Sequence, residues 1–144
     1  MYVYTDGACS RNGTPKARAG YGIYFGEDDP RNVSERVQGR QTNNVAELEA
    51  IIKTCEIVQD ETEDIYIGTD SDIAKGWCTT TGDKYEKTGW KKRVNIELIR
   101  KAHTLCKKEN IHLFKIKAHT KDTSPHSIGN AEADRLARET IRII

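Results

Sequence analysis

Three stretches near the start of the chain alternate apolar and polar residues, and only after them does the spacing become helical. "MYVYTD" (1–6), "GYGIYFGE" (20–27) and "VSERVQG" (33–39) each have the period of a half-buried strand, whose successive side chains face opposite ways. "TPKARAG" between the first two reads as loop, and "EDDPRN" (27–32), with Pro30, as a turn. From Asn44 onward Val45, Leu48, Ile51, Ile52, Cys55 and Val58 recur at helical spacing. Short connections between early strands favour antiparallel pairing. A helix that follows them must then cross one face of the sheet.

The rest of the chain alternates strand and helix. Residues 64–70 read as a fourth strand, with a helix starting near Ser71. Residues 76–94 are Gly-rich, Thr-rich and basic, and suggest an irregular segment or broken helix. "NIELIRKAHTLCKKE" (95–109) is amphipathic with Asn95 at its start, and "IHLFKIKAH" (111–119) alternates as a fifth strand. A polar loop with Pro125 and Gly129 leads into "NAEADRLARETIRII" as the closing helix. The order βββ-α-β-α-(α)-β-α implies an α/β fold: a five-stranded mixed sheet, three antiparallel strands then parallel ones, flanked by helices. No repeat or linker interrupts it, so 1–144 is expected to form a single domain without a separate binding module.

Net charge is +1, which does not announce a polyanion binder. Its distribution is uneven: Lys84, Lys87, Lys91, Lys92, Arg93, Arg100, Lys101, Lys107 and Lys108 cluster, whereas "EIVQDETED" (56–64) is acidic. That pattern fits either a polyanion approaching one side or an ordinary solvated helix face. Cys9, Cys55, Cys78 and Cys106 are far apart, with no C-x-x-C pair, which argues against zinc. No stretch is long and apolar enough for a membrane span, and the strand-like start lacks a signal peptide's apolar core. Reduced thiols in an intracellular, cytoplasmic monomer with no obligate protein partner are the expectation.

Four carboxylates stand at the ends of elements. Asp6 ends the first strand, Glu47 sits early in the first long helix, Asp70 ends the fourth strand, and Asp134 lies early in the last helix. Each alone has an ordinary reading: turn formation for Asp6 and Asp70, a capping box with Asn44 for Glu47, dipole complementation for Asp134. Together they are harder to dismiss. Ionised groups closing apolar strands are expensive unless paired or bound to metal, and oxygen donors without His or Cys suit Mg²⁺ or Mn²⁺.

The motifs "YTDGAC", "GYGIYFG", "GRQTNNVAELEAI", "YIGTDSD", "GWKKRVN" and "IGNAEADRLAR" resemble, in order and spacing, those of type 1 ribonuclease H. The resemblance spans the chain. It implies the ribonuclease H-like fold, an RNA–DNA hybrid duplex as partner, and endonucleolytic hydrolysis of its RNA strand. Asp6, Glu47, Asp70 and Asp134 match the family's metal-binding carboxylates, with Asp6 bridging two Mg²⁺ ions. Cleavage would leave 5′-phosphate and 3′-hydroxyl ends. His119 in "KAHT" resembles a loop histidine that assists proton transfer or product release, a task suited to imidazole. His126, nearer Asp134 in sequence, is the competing candidate.

The resemblance also assigns the substrate. Cys9, Asn12, Asn43 and Asn44 match positions that contact the RNA strand, although Asn43 and Asn44 could equally be N-caps. Arg40, Thr42 and Asn95 match a pocket for a DNA-strand phosphate. Tyr85, Trp90, Lys91 and Lys92 match a DNA-binding handle, here shortened; Trp77 reads as a packing residue. Asp72 departs from the pattern, since many members carry Gln there against a base edge. An ionised Asp accepts hydrogen bonds but cannot donate the amide's. Two other readings share these features: a non-catalytic hybrid-binding module, and a DNA-directed nuclease on a related fold.

Overall fold

A computed structural model describes residues 1–117 and 123–142. Its strands are β1 (Tyr2–Ser10), β2 (Arg18–Tyr24), β3 (Val33–Arg36), β4 (Ile65–Thr69) and β5 (Ile111–Lys115). Its helices are α1 (Asn43–Ile57), α2 (Asp72–Cys78), α3 (Thr80–Lys87), α4 (Ile96–Cys106) and α5 (Pro125–Glu139). The strands form one sheet in the order β3-β2-β1-β4-β5. β1, β2 and β3 pair antiparallel, and β4 and β5 join parallel to β1, giving the expected mixed sheet.

Helices cover both faces. Val3 on β1 joins Val45, Ala46 and Ala50 of α1 in the larger core, and α2 and α4 extend it through Ala74, Ile99 and Ala102 against Leu48, Ile51 and Ile52. On the opposite face Tyr4 and Ile116 pack with Ala133 of α5. Two glycines set these helix–sheet distances. A Cβ on Gly7 would lie 2.7 Å from the Glu47 nitrogen, and one on Gly129 would lie 2.3 Å from the Tyr4 ring. Both are required by close approach rather than by a turn.

The structure shifts several expected boundaries. α5 begins at Pro125, five residues before the expected start: Ser124 caps it by accepting from the Ser127 N–H, and Pro125 stands where its missing N–H does no harm. Residues 76–94 take the broken-helix form of the two expected: α2 ends at Cys78, α3 follows almost at once, and the chain is irregular after Lys87. The first long helix is capped by Thr42, whose Oγ1 accepts the Val45 N–H at 3.1 Å, and not by Asn43 or Asn44. Asn95 does precede α4, but in a left-handed conformation (φ 62°) and without a side-chain cap.

The cysteines also read differently in three dimensions. Cys106 meets Cys55 on one side and Cys78 on the other, where α1, α2 and α4 converge. The Cys55 thiol is pushed up by its hydrogen bond with Cys106 and then by burial; Cys106 is lowered by that same bond but raised on balance by its hydrogen bond with Cys78 and by burial. All four cysteines are free.

Candidate active site

Parallel pairing brings two strand-end aspartates level. Tyr4 is in register with Gly68, so two residues further on Asp6 stands beside Asp70. β4 stops there because Thr69 Oγ1 accepts the Ser71 N–H at 3.1 Å and Ser71 caps α2. Glu47 reaches the same place from α1, since the missing side chain of Gly7 lets that helix lie close to β1. The Gly7 N–H donates to Glu47 Oε1 at 3.0 Å and to Asp6 Oδ1 at 2.9 Å. The capping-box partner expected for Glu47 is therefore replaced by a strand N–H from another part of the chain.

One oxygen from each of Asp6, Glu47 and Asp70 lies within 4.8 Å of the others. Asp6 and Glu47 are buried, at 4% and 3% exposure, whereas Asp70 is half-buried. Asp134 of α5 stands just outside that trio. It hydrogen-bonds Asp6, and its Oδ2 is 3.0 Å from Arg138 Nε, one helical turn on. Burial raises the pKa of Asp6 far above the usual carboxylate range, and the charges of Glu47 and Asp70 add to the effect. Glu47 is raised by burial and by Asp70, against a partial offset from its hydrogen bonds with Asp6 and Gly7.

This site fits a divalent cation. Glu47 Oε2 is buried without a hydrogen-bond partner among the described residues, a costly state for a carboxylate. The donors are all hard oxygens, suited to Mg²⁺ or Mn²⁺. Among the described residues no other group of acidic, His and Cys side chains is close enough to hold a metal. A surface cavity of about 730 Å³ lies elsewhere: Asp64 and Asn110 line it at the opposite ends of β4 and β5.

Comparison with known proteins identifies the family. The family model described as RNase H matches residues 1–142. The chain belongs to the RNase H family. It is 40% identical to the ribonuclease H of Schizosaccharomyces pombe over 94% of this chain and 51% of that protein. It is 39% identical to human ribonuclease H1 over 96% of this chain and 49% of that protein. The chain thus spans about half the length of these curated relatives. The solution structure of the PFV RNase H domain has the same fold, with a TM-score of 0.76 and 24% identity over 96% of this chain and 92% of that one.

Other residues assigned by resemblance to the RNase H family fall into groups. The end of β1 and the following turn touch the segment that leads into α1 at two points, through Cys9 and through Asn12. Asn12 Oδ1 accepts the Asn43 N–H at 3.2 Å, and the Cys9 thiol points to the Gln41 carbonyl at 3.8 Å. Asn44 is half-buried next to them. Arg40 and Asn95 line one cleft of about 320 Å³. Thr42 does not line it; its hydroxyl caps α1, and it borders a neighbouring cleft with Arg40.

In the handle region, Tyr85 and Trp90 are half-buried and meet edge-to-face at 6.4 Å, with Lys91 and Lys92 exposed. Trp77 packs on the core, as expected. Arg93 joins the Arg40–Asn95 cleft and lies 4.2 Å over the Tyr85 ring, a position that its place in a basic run did not disclose. His119 lies outside the described residues. His126 is in the first turn of α5, and its Nδ1 is 2.9 Å from the Tyr4 hydroxyl, amid the Tyr2, Tyr4 and Phe114 rings. Sequence reading missed Lys115. Its Nζ donates to the Asp70 carbonyl at 2.6 Å and lies 3.3 Å from Asp72 Oδ2.

Proposed function

We propose that this chain is a metal-dependent endoribonuclease that hydrolyses the RNA strand of RNA–DNA hybrids, leaving 5′-phosphate and 3′-hydroxyl ends. One observation carries the reading: in an RNase H family fold, Asp6, Glu47 and Asp70 converge from three separate elements, two of them buried. Such crowding of like charge opposes folding unless a cation is to be held. Asp6, Glu47, Asp70 and Asp134 would hold two Mg²⁺ ions, or Mn²⁺, which would supply charge stabilisation at the scissile phosphate and a more acidic attacking water.

The chain's own groups position the substrate. The Cys9–Asn12–Asn43 group, with Asn44, offers small polar contacts to the RNA strand, where a 2′-hydroxyl separates RNA from DNA. Arg40 and Asn95, joined by Arg93, offer donors for a phosphate of the DNA strand. Tyr85, Trp90, Lys91 and Lys92 would extend that contact along the duplex. Because hybrids form where nucleic acids are copied, we place this activity inside the cell, in a protein acting as a monomer.

Labelled RNA–DNA hybrid, double-stranded RNA and double-stranded DNA, each with Mg²⁺, test this with wild type and Asp70→Asn. Cleavage restricted to the RNA of the hybrid, and abolished by Asp70→Asn, is expected. Hybrid binding without cleavage identifies a binding module instead. Equal cutting of double-stranded DNA removes the claimed specificity.

A further inference from the structure

Lys115 is the last residue of β5 and pairs in register with Thr69, which places its side chain beside the end of β4. Its ammonium is shared between the Asp70 carbonyl at 2.6 Å and the Asp72 carboxylate at 3.3 Å. The Asp72 side chain is 84% exposed and that of Lys115 38%, so the pair borders the carboxylate site without being sealed in. An ammonium has three protons, and these two contacts occupy two of them. Asp72 meets Lys115 through Oδ2, and the carboxylate's Oδ1 is a further acceptor on an exposed side chain. The pair is neutral as a unit and offers one donor and one acceptor side by side.

We propose that Lys115 and Asp72 act together as a specificity-determining couple that takes a ribose 2′-hydroxyl of the RNA strand, close to the phosphate held at the carboxylates. This rests on the hybrid-cleaving function proposed above. A lone Asp72 would repel a polyanion and could only accept hydrogen bonds. With Lys115 fixed to the Asp70 main chain, the missing donor stands beside the acceptor. A 2′-hydroxyl both donates and accepts, so it engages both members. Phosphate oxygens and the minor-groove edges of A·T pairs only accept, and would leave Asp72 unused; a guanine edge adds an N2–H donor, but contact with it is insensitive to removal of a 2′-hydroxyl. The contact with the Asp70 carbonyl also ties the couple to the end of the strand that carries a metal-binding carboxylate, so recognition and cleavage share one rigid element.

The test uses RNA–DNA hybrids that are cut at one position, with single 2′-deoxy substitutions placed in turn along the RNA strand outside the cleaved nucleotide. In wild type one position near the cut is expected to raise KM about tenfold, the scale of one charge-assisted hydrogen bond. Lys115→Met and Asp72→Leu should each raise KM about as much on the all-ribose hybrid and be insensitive to the 2′-deoxy change at that position. Lys115→Arg, which keeps the charge and donors, should retain the sensitivity. A merely structural lysine would instead leave the substitution effects multiplying independently. That result, or a wild type with no sensitive position, overturns the couple while leaving hybrid cleavage standing. A wild type that cuts no hybrid overturns both.

Discussion

Ionisable groups are buried in two parts of this molecule, with opposite consequences. At the ends of β1 and β4 the buried groups have the same sign: Asp6 and Glu47 face each other and Asp70, and Glu47 Oε2 has no hydrogen-bond partner among the described residues. Between α3 and α4, His103 is 1% exposed, but acidic side chains of α3 meet its ring. Its Nε2 is 2.7 Å from Asp83 Oδ1 and its Nδ1 is 3.5 Å from Glu86 Oε2, while Trp90 packs edge-on at 5.4 Å. Lys107 closes the network by bonding Glu86. The second region sets a buried ring against acids that reach solvent and holds two helices together, although His103 Nδ1 also lacks a hydrogen bond among the described residues. The first crowds buried carboxylates against one another, and that difference separates a binding site from a structural polar contact.

The contrast can be broken by substitution. The largest effect expected is on turnover: Asp70→Asn should lower hybrid cleavage by at least about a hundredfold, since it removes charge where the cation is held. Circular dichroism should show an unchanged fold. If Asp70→Asn retains near-wild-type cleavage, the carboxylates are not the reaction centre.

His103→Ala should behave in the opposite way. It removes a fully buried ring and leaves a cavity between α3 and α4, so a loss of stability of about 3 kcal/mol is expected by denaturant unfolding. Cleavage per folded molecule should be nearly unchanged. Activity lost in parallel with Asp70→Asn would mean that the α3–α4 contact belongs to the site.

Asp6→Asn should stabilise the metal-free protein by about 1–2 kcal/mol near neutral pH. The sign follows from proton binding. Burial first, then Glu47 and Asp70, raise the folded-state pKa of Asp6 above its unfolded value. The folded protein therefore binds more protons between those two values, and wild-type stability falls as pH rises through that window. Asp6→Asn should flatten the slope, and added Mg²⁺ should restore wild type selectively. Thermal unfolding from pH 5 to 8, with and without Mg²⁺, measures all three. A wild-type curve that rises across that range would contradict the assigned crowding.

The remaining effect concerns the cation itself. Because Asp6 and Glu47 share raised pKa values, binding Mg²⁺ must displace protons, and its affinity should rise with pH by up to about tenfold per unit. Calorimetry in buffers of different ionisation enthalpy would count the protons released. Affinity that is flat from pH 5 to 8 would place the cation elsewhere.

Much of this arrangement was legible in the sequence. Alternation in "MYVYTD" and helical spacing from Val45 to Val58 are local properties, and each marks its element because side-chain direction repeats with a fixed period. The termination of apolar strands at Asp6 and Asp70 was visible for the same reason. Ionised groups are costly there, so their position alone demanded an explanation. The element order then led to the mixed sheet, because hairpin-linked strands and crossover helices allow few topologies.

What escaped local reading depends on contacts between distant residues. By local pattern Gly129 belongs to a polar loop with Pro125. Its reason is instead the Tyr4 ring, which leaves no space for a Cβ inside α5. The thiols of Cys55, Cys78 and Cys106 are neighbours only because three helices converge. Glu47 finds the Gly7 N–H across forty residues of sequence, and Lys115 finds Asp72 across the β4–β5 register. The sequence by itself determined the elements, their order and the carboxylates that end them, since these follow from residue type and period. Tertiary structure alone decided which charges meet and which remain unpaired, because register and helix approach set distances that no local pattern encodes.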